Sequence, residues 1–160
     1  MKILWFYFLA IGSLFANEYF AKLEPIDTYS VKSAVSGKVI FANKKIEGSL
    51  ANNSTIIELD STLNKVELEQ SKNKLKLIDE MLKIEKNNYD RLTQVSSKSE
   101  FEKDTQKLKV INLEASKADM IIKIESLKDT IQNKKLVEKS NYIYNISVNE
   151  GDYVNAGALL

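Results

Sequence analysis

The fold is decided by the stretch Asn149-Glu150-Gly151-Asp152-Tyr153-Val154-Asn155-Ala156-Gly157-Ala158-Leu159-Leu160. A related string stands much earlier in the chain, Ile46-Glu47-Gly48-Ser49-Leu50-Ala51-Asn52-Asn53-Ser54-Thr55-Ile56. Glu47-Gly48-Ser49 matches Glu150-Gly151-Asp152. With one residue fewer after the glycine, the following positions also match in pairs: Leu50 with Val154, Asn53 with Gly157, and Ile56 with Leu160. The sequence therefore contains two copies of one half-motif.

Turn chemistry explains why the half-motif repeats. Gly48 and Gly151 are each expected to supply a turn with positive φ. Asn53 is expected to take the left-handed conformation that Gly157 takes in the second copy, since Asn is the usual substitute for Gly there. Gly37 is predicted as a further structural turn. The apolar positions around these turns are expected to face one shared core.

Short β-prone runs surround both copies of the half-motif. In residues 29–60 we predict the first half of a β domain, with turn residues between the runs. Its apolar positions are Val31, Val35, Val39, Ile40, Phe41, Ile56, Ile57 and Leu59. In residues 140–160 apolar and polar residues alternate, which is typical of a half-buried strand. The alternating apolar positions there are Tyr142, Tyr144, Ile146 and Val148.

Residues 61–139, between the two β segments, are predicted to be helical. From residue 62 to 137 the chain has no Gly and no Pro, and Lys, Glu, Leu and Ile dominate. Asp60, Ser61 or Thr62 is expected to cap the start. The first half has a heptad pattern, with Leu68, Ser71, Leu75, Ile78, Leu82, Glu85, Tyr89 and Leu92. In the second half the expected stripe comprises Phe101, Leu108, Ile111, Ala115, Ala118 and Ile122, and then drifts to Met120, Ile124, Leu127 and Ile131.

A serine-dense break, Val95-Ser96-Ser97-Lys98-Ser99-Glu100, divides the helical region. Ser97 and Glu100 have the spacing of a capping box, which predicts that a new helix begins there. We therefore predict an antiparallel coiled-coil hairpin about 50 Å long with its tip at residues 95–98. The alternative is one continuous helix in a parallel dimeric coiled coil.

The N-terminus and the composition limit where the protein acts and what it does. Residues 1–16, MKILWFYFLAIGSLFA, have the basic start and the apolar core of a secretory signal peptide. Cleavage is expected near Ala16, with an uncleaved inner-membrane anchor as the alternative. The chain has no Cys and no His and a formal charge of +1, which excludes most catalytic and metal-binding chemistry and disfavours nucleic acid. We predict no catalytic, cofactor or metal site.

In this order, the segments resemble the membrane fusion proteins, also called periplasmic adaptors of the hemolysin D type. The first half is matched by residues 34–39, Glu47-Gly48-Ser49 and the strand at 56–60, and the second by residues 146–148, Glu150-Gly151-Asp152-Tyr153-Val154 and Gly157. The resemblance implies an α+β fold in which a coiled-coil hairpin is inserted between the two halves of a lipoyl-like (barrel-sandwich hybrid) domain. The chain stops at Leu160, so the second half is expected to be incomplete and the family's β-barrel domain to be missing.

The resemblance also implies a function and partners. Such proteins form homo-oligomeric rings in tripartite efflux systems, including resistance-nodulation-division pumps, and in type I secretion systems. They connect an inner-membrane transporter to an outer-membrane channel and lie in the periplasm, either free or held at the inner membrane. The residues expected to bind the channel at the hairpin tip are Arg91, Leu92, Val95 and Ser97. A plainer interpretation is that Arg91 is a solvated helix residue and Ser97 only a cap.

Two other functions are weighed against the adaptor. A structural coiled-coil spacer of the cell envelope would explain the helices but not the paired Glu-Gly motifs. A carrier of lipoate or biotin would need a Lys at the turn that links the two halves. The hairpin replaces that turn, and the nearest candidate, Lys65, lies in the predicted helix.

Overall fold

The computed structural model describes residues 24–97 and 99–160. The predicted signal peptide, residues 1–16, lies outside the described residues. In chain order the elements are β1 (Gly37–Ala42), β2 (Ser49–Leu50), β3 (Ser54–Leu59), α1 (Thr62–Thr93), α2 (Glu100–Asn133), β4 (Lys135–Glu138), β5 (Tyr142–Ile143) and β6 (Tyr153–Val154), with a 3-10 turn at Lys44–Ile46.

The strands on either side of the helices pair with one another. Four strands form an antiparallel sheet in the order β4-β3-β1-β6, and β2 pairs with β5 in a second, two-stranded sheet. Gly37 of β1 lies opposite Val154 of β6, and Ser49 of β2 lies opposite Ile143 of β5. Each β segment therefore supplies a partner strand to the other, and the two segments form one β unit.

The β unit has one hydrophobic core to which both segments contribute. Val39 and Ile57 are its most completely buried large side chains. The other buried members are Ala51, Ile56, Leu59, Ile146, Val148 and Val154. Because neither segment holds enough of these side chains alone, burial of apolar surface joins residues that are far apart in sequence.

Three of the predicted turn glycines and Asn53 have positive φ. Gly48 has φ of 75°, Gly151 of 95°, Gly157 of 86° and Asn53 of 52°. The prediction of a turn at Gly37 is wrong, because this residue begins strand β1. A Cβ atom on Gly37 would lie 3.3 Å from Cβ of Leu59, so the missing side chain allows β1 and β3 to pack closely.

The match between Leu50 and Val154 predicts that both side chains face the core, and for Leu50 this prediction is wrong. Leu50 is 66% exposed, whereas Val154 is buried. Ala51 is the buried residue in the first copy, and it stands three residues after Gly48, as Val154 does after Gly151. The comparison of the two copies placed the one-residue gap directly after Gly48. Because side chains in a strand alternate between its two faces, this shift of one residue predicts Leu50 in the core instead of Ala51.

The helical region ends earlier than predicted. Helix α2 ends at Asn133, and Lys135–Glu138 form strand β4, which pairs with β3 through Thr55 opposite Val137. Leu136 packs against the core of the β unit. Pairing with β3 and burial of Leu136 override the helix propensity of this Lys-rich segment.

Candidate functional site: the helical hairpin and its tip

Helices α1 and α2 pack against each other in antiparallel orientation. Three ion pairs cross between them: Glu67 with Lys123 at 2.8 Å, Asp79 with Lys117 at 2.7 Å, and Lys86 with Glu114 at 2.6 Å. As the residue numbers rise along α1, those of the partners fall along α2. The chain therefore folds into a hairpin, and the alternative of one continuous helix is wrong.

The heptad pattern predicted for α1 faces α2. Ser71, Ile78 and Leu82 are buried. The remaining positions of the pattern are half-buried: Leu68, Leu75, Glu85, Tyr89 and Leu92. This confirms that the predicted heptad positions of α1, including the polar Ser71 and Glu85, form its interface with α2.

The apolar stripe predicted to form the interface in the first part of α2 lies instead on the exposed face of that helix. Phe101 is 80% exposed and Ile122 is 68% exposed. The buried positions are Gln106, Val110, Met120, Ile124 and Leu127. The predicted drift to Met120, Ile124, Leu127 and Ile131 does lie in the interface. Extending that stripe towards the N-terminus of α2 in steps of three and four would have found Leu113, Val110 and Gln106. These residues were missed because Phe101, Leu108 and Ile122 form a more regular apolar pattern.

A polar layer interrupts the hairpin interface. Gln106 Nε2 donates to the backbone oxygen of Glu85 at 3.1 Å and also to the Glu85 carboxylate. The hydrogen bond from Gln106 is the main cause that lowers the pKa of Glu85 below its ordinary value. Because buried polar groups require partners, this pairing favours one register between the helices.

The base of the hairpin is tied to the β unit. The Thr62 N–H donates to Asp60 Oδ1 at 2.9 Å, so the Asp60 side chain satisfies the first N–H of α1, whereas the N-cap residue, Ser61, forms no side-chain capping hydrogen bond. Lys134 Nζ donates to Asn64 Oδ1 at 2.7 Å and to the Asp60 backbone oxygen at 2.5 Å. The hydrogen bonds from Thr62 come first among the causes that lower the pKa of Asp60, followed by the nearby charge of Lys134. These contacts hold the two helix ends together where they join the sheet.

The predicted tip residues lie at the opposite end of the hairpin. Arg91 and Leu92 are in the last turn of α1, and Val95 and Ser97 are in the turn between the helices. The Arg91 guanidinium donates to Asn88 Oδ1 at 2.6 Å and to the Asn87 backbone oxygen at 3.3 Å. Leu92 is half-buried, whereas Arg91, Val95 and Ser97 are exposed. Three of the four side chains are therefore open to a partner.

The capping box lies two residues later than predicted. The Glu102 N–H donates to Ser99 Oγ at 3.3 Å, and the Ser99 N–H donates to Glu102 Oε2 at 3.1 Å. The prediction that Ser97 and Glu100 form this box is wrong, because Ser99, with φ of −68° and ψ of 151°, is the residue with extended backbone directly before α2. Ser97 is thus left in the turn.

Three further features of the described residues concern metal binding, lysine modification and membrane spanning. They contain no group of three or more His, Cys, Asp or Glu side chains that could hold a metal ion. Lys65, the candidate carrier residue, is exposed on α1 and not at a β-turn. Over residues 24–97 and 99–160, no helix is long and apolar enough to span a membrane.

Solved structures with the same fold come from proteins of transport and membrane fusion. No protein-family model and no curated protein matches the sequence. A Bacteroides eggerthii protein proposed as an efflux transporter matches with a TM-score of 0.62 at 17% identity over 85% of this chain. The membrane fusion protein Spr0693 of Streptococcus pneumoniae R6 matches with a TM-score of 0.55 at 7% identity over 82% of the chain. MacA of Actinobacillus actinomycetemcomitans matches with a TM-score of 0.51 at 21% identity over 85% of the chain.

The match covers only part of each of these proteins. It spans 39% of the Bacteroides protein, 49% of MacA and 58% of Spr0693. In this chain, the matched part comprises the β unit formed by strands on either side of the helices and the antiparallel hairpin. The chain therefore has the fold of the membrane fusion proteins, the family that its sequence resembles.

Proposed function

We propose that this protein is an adaptor subunit that links an inner-membrane transporter to an outer-membrane channel in a tripartite efflux or secretion system. One observation carries the proposal. A β unit built from both ends of the described chain supports a hairpin of two helices with 32 and 34 residues. At 1.5 Å per residue the hairpin extends about 50 Å from the β unit. That shape suits a connector between two sites, and its mechanism is assembly rather than catalysis.

The β unit corresponds in this proposal to the lipoyl-like domain of the family. Two observations support the assignment. The half-motifs lie on turns with positive φ in both segments, and each segment pairs with strands of the other. The hairpin occupies the place where a carrier domain has its modified lysine, so this domain would serve as a structural module of the ring.

The hairpin tip is the proposed contact with the channel. Val95 is 42% exposed and stands in the turn with Ser97. The capping box of Ser99 and Glu102 orders the start of α2, and the hydrogen bonds of Arg91 to Asn87 and Asn88 hold its guanidinium along α1. The exposed side chains of Arg91 and Val95 could dock between helices of a partner, and the contacts that already hold Arg91 and the start of α2 would lower the ordering entropy lost on binding.

Copies of the chain would surround the transported substrate as a ring. The exposed apolar side chains on the outer faces of both helices, such as Leu77 and Ile122, support packing between copies, because such stripes mark interaction surfaces. Export by the signal at residues 1–16 would place this ring in the periplasm. The β-unit end would then face the inner-membrane transporter.

Site-specific photo-crosslinking in living cells tests the channel contact. A photoreactive residue is placed at Val95, and the control variant has it at Lys65, which is exposed near the hairpin base. We expect an adduct with an outer-membrane channel protein from position 95 only. Adducts only between copies of this chain, or no adduct with the protein exported and abundant, would instead favour an envelope spacer.

A further inference from the structure

Very short connections join the two helices to the β unit. The connection from β3 to α1 is Asp60-Ser61, and the connection from α2 to β4 is Lys134 alone. We call these three residues the joint. Short connections limit the directions that the hairpin can take, but they do not select one, because two backbone dihedrals of each linking residue can still rotate. A single direction of the hairpin therefore requires further contacts at the joint.

Apolar packing among the described residues does not fix the direction of the hairpin. The buried core of the β unit, with the half-buried side chains packed against it, contains no described residue of α1 or α2. The cluster of Ile78, Met120 and Ile124 in the hairpin likewise contains no described residue of the β unit. Because neither cluster crosses the joint, burial of apolar surface stabilises each part separately. The polar contacts at the joint therefore set the angle between them.

Lys134 forms hydrogen bonds with both helices and with the sheet. Its N–H donates to the Thr130 backbone oxygen in the last turn of α2 at 3.2 Å. Its own backbone oxygen accepts from the Leu59 N–H, at the end of β3, at 2.8 Å. Its ammonium group donates to the Asp60 backbone oxygen at 2.5 Å and to Asn64 Oδ1, in the first turn of α1, at 2.7 Å. One residue therefore connects the end of α2, the end of β3 and the start of α1.

The acceptors of the Lys134 ammonium group are themselves held in place. The Asp60 N–H donates to the Lys38 backbone oxygen of β1 at 2.8 Å, and the Asp60 carboxylate accepts from the Thr62 N–H. Lys134 and Asn64 are half-buried, so water competes less for the hydrogen bond between them than at an open surface. A hydrogen bond from a charged donor is also about twice as strong as one between neutral groups. The ammonium group is therefore well suited to hold one geometry at the joint.

We infer that Lys134 is a positioning residue that fixes the angle between the hairpin and the β unit and thereby directs the hairpin tip. The use of this angle to reach a channel rests on the proposed adaptor function, whereas the fixed angle itself does not. The helices act as a lever, so a rotation of about 10° at the joint would move the tip, about 50 Å away, by about 9 Å. Packed helices have axes about 8 to 10 Å apart. A loose joint would therefore present Val95 to the wrong helix of a partner.

Spin labels on introduced cysteines test the angle, and the chain suits them because it has no native Cys. The full chain is labelled at Ser96→Cys in the tip and Ser140→Cys in the β unit, both exposed positions. Pulsed electron paramagnetic resonance measures the distribution of distances between the labels, and dilution with unlabelled protein limits it to distances within one copy. Lys134→Met removes the ammonium group but keeps an unbranched side chain. We expect it to widen the distribution about twofold, because the charged hydrogen bonds at the joint are lost.

Lys135 provides the matched control. It follows Lys134 directly and is exposed on β4, so Lys135→Met is expected to leave the distribution unchanged. Lys134→Arg keeps the charge and the donors and is expected to keep the distribution narrow. A second label pair, Lys76→Cys with Ser96→Cys, lies within the hairpin and should give the same distances in the parent and in Lys134→Met. This pair separates positioning from stability, because a generally weakened fold would widen the distances inside the hairpin as well.

The outcomes for the angle and for the adaptor function can be told apart. A narrow distribution in Lys134→Met, equal widening in Lys135→Met, or equal widening inside the hairpin would each overturn the inference. A channel adduct from Val95 together with any of these results would leave the adaptor function standing. Widening only between tip and β unit, with no channel adduct from Val95, would support the fixed angle and count against the adaptor function. A channel adduct whose yield falls in Lys134→Met but not in Lys135→Met would support both.

Discussion

The β unit and the hairpin bury their apolar side chains in different ways. In the β unit, strands of both segments enclose Ile57 and Val39 from several sides, and their exposed fractions are 2% and 0%. In the hairpin, each seam residue has one neighbouring helix, and the buried cluster consists of Ile78, Met120 and Ile124 with Leu68 and Leu75 beside it. The difference shows that the core of the β unit is enclosed by strands of the same chain, whereas each interface residue of the hairpin has one neighbouring helix and both helices keep exposed apolar side chains such as Leu77 and Ile122.

The largest expected effect lies in the core of the β unit. Ile57→Ala removes a side chain that is enclosed on all sides, and the cavity should lower the free energy of unfolding by about 4 kcal/mol. Ile40→Ala, on strand β1 but 48% exposed, is the matched control and should change it by less than about 1 kcal/mol. Chemical denaturation measures both. Similar losses for the two variants would contradict the separation of core and surface in this sheet.

A smaller effect is expected in the hairpin, where two isoleucines of α2 form a matched pair. Ile124 is 6% exposed and faces α1, whereas Ile122, two residues earlier, is 68% exposed. Ile124→Ala should cost about 2 to 3 kcal/mol of unfolding free energy, and Ile122→Ala less than about 0.5 kcal/mol in dilute protein. Thermal unfolding followed by circular dichroism measures the difference. The reverse order would place the heptad of Phe101, Leu108 and Ile122 in the hairpin interface after all.

The tip offers a third comparison, between two serines. Ser99→Ala removes the hydroxyl that accepts the Glu102 N–H and should lower the unfolding free energy by about 1 kcal/mol. Ser97→Ala removes a hydroxyl from the turn before the helix and should have little effect. Urea denaturation of the two variants separates them, and an equal or larger loss for Ser97→Ala would restore the capping box at Ser97 and Glu100.

The smallest expected effect is a pH dependence within the polar layer. Because folding lowers the pKa of Glu85 from its ordinary value of 4.5, its contribution to stability is present above that value. The contribution is lost as the pH falls through the lower, folded-state pKa. Gln106→Met removes the donor that is the main cause of the shift. The melting temperature of this variant should fall less than that of the parent between pH 5 and the acidic limit of the folded state. An identical fall in both proteins would show that Gln106 does not stabilise the ionised carboxylate.

Local sequence patterns predicted much of the architecture. The lack of Gly and Pro from residue 62 to 137 predicts long helices, and the serine-dense break places the turn between them. The heptad of α1 predicts its buried face correctly, because Leu75, Ile78 and Leu82 form the most apolar stripe of that helix. The half-motifs predict the turns at Gly48, Asn53, Gly151 and Gly157. Each of these features depends on side chains within a few residues of one another.

Where α2 has two apolar stripes, local pattern could not decide between them. Phe101, Leu108 and Ile122 repeat as regularly as an interface stripe, but the face with Val110, Met120, Ile124 and Leu127 is the one that packs on α1. At the end of the hairpin, Lys135–Glu138 became a strand because β3 offers an unpaired edge. Ala51 is buried in place of Leu50 because the register of β2 depends on its pairing with β5.

By itself, the sequence determined that two long helices lie between two β segments and that turns with positive φ lie at Gly48, Asn53, Gly151 and Gly157, since helix propensity and glycine conformation act over short distances. The tertiary structure alone decided which face of α2 is buried, that β4 is a strand, and that two distant segments share one core. Those choices depend on contacts between residues far apart in the chain, where burial and pairing outweigh local preference.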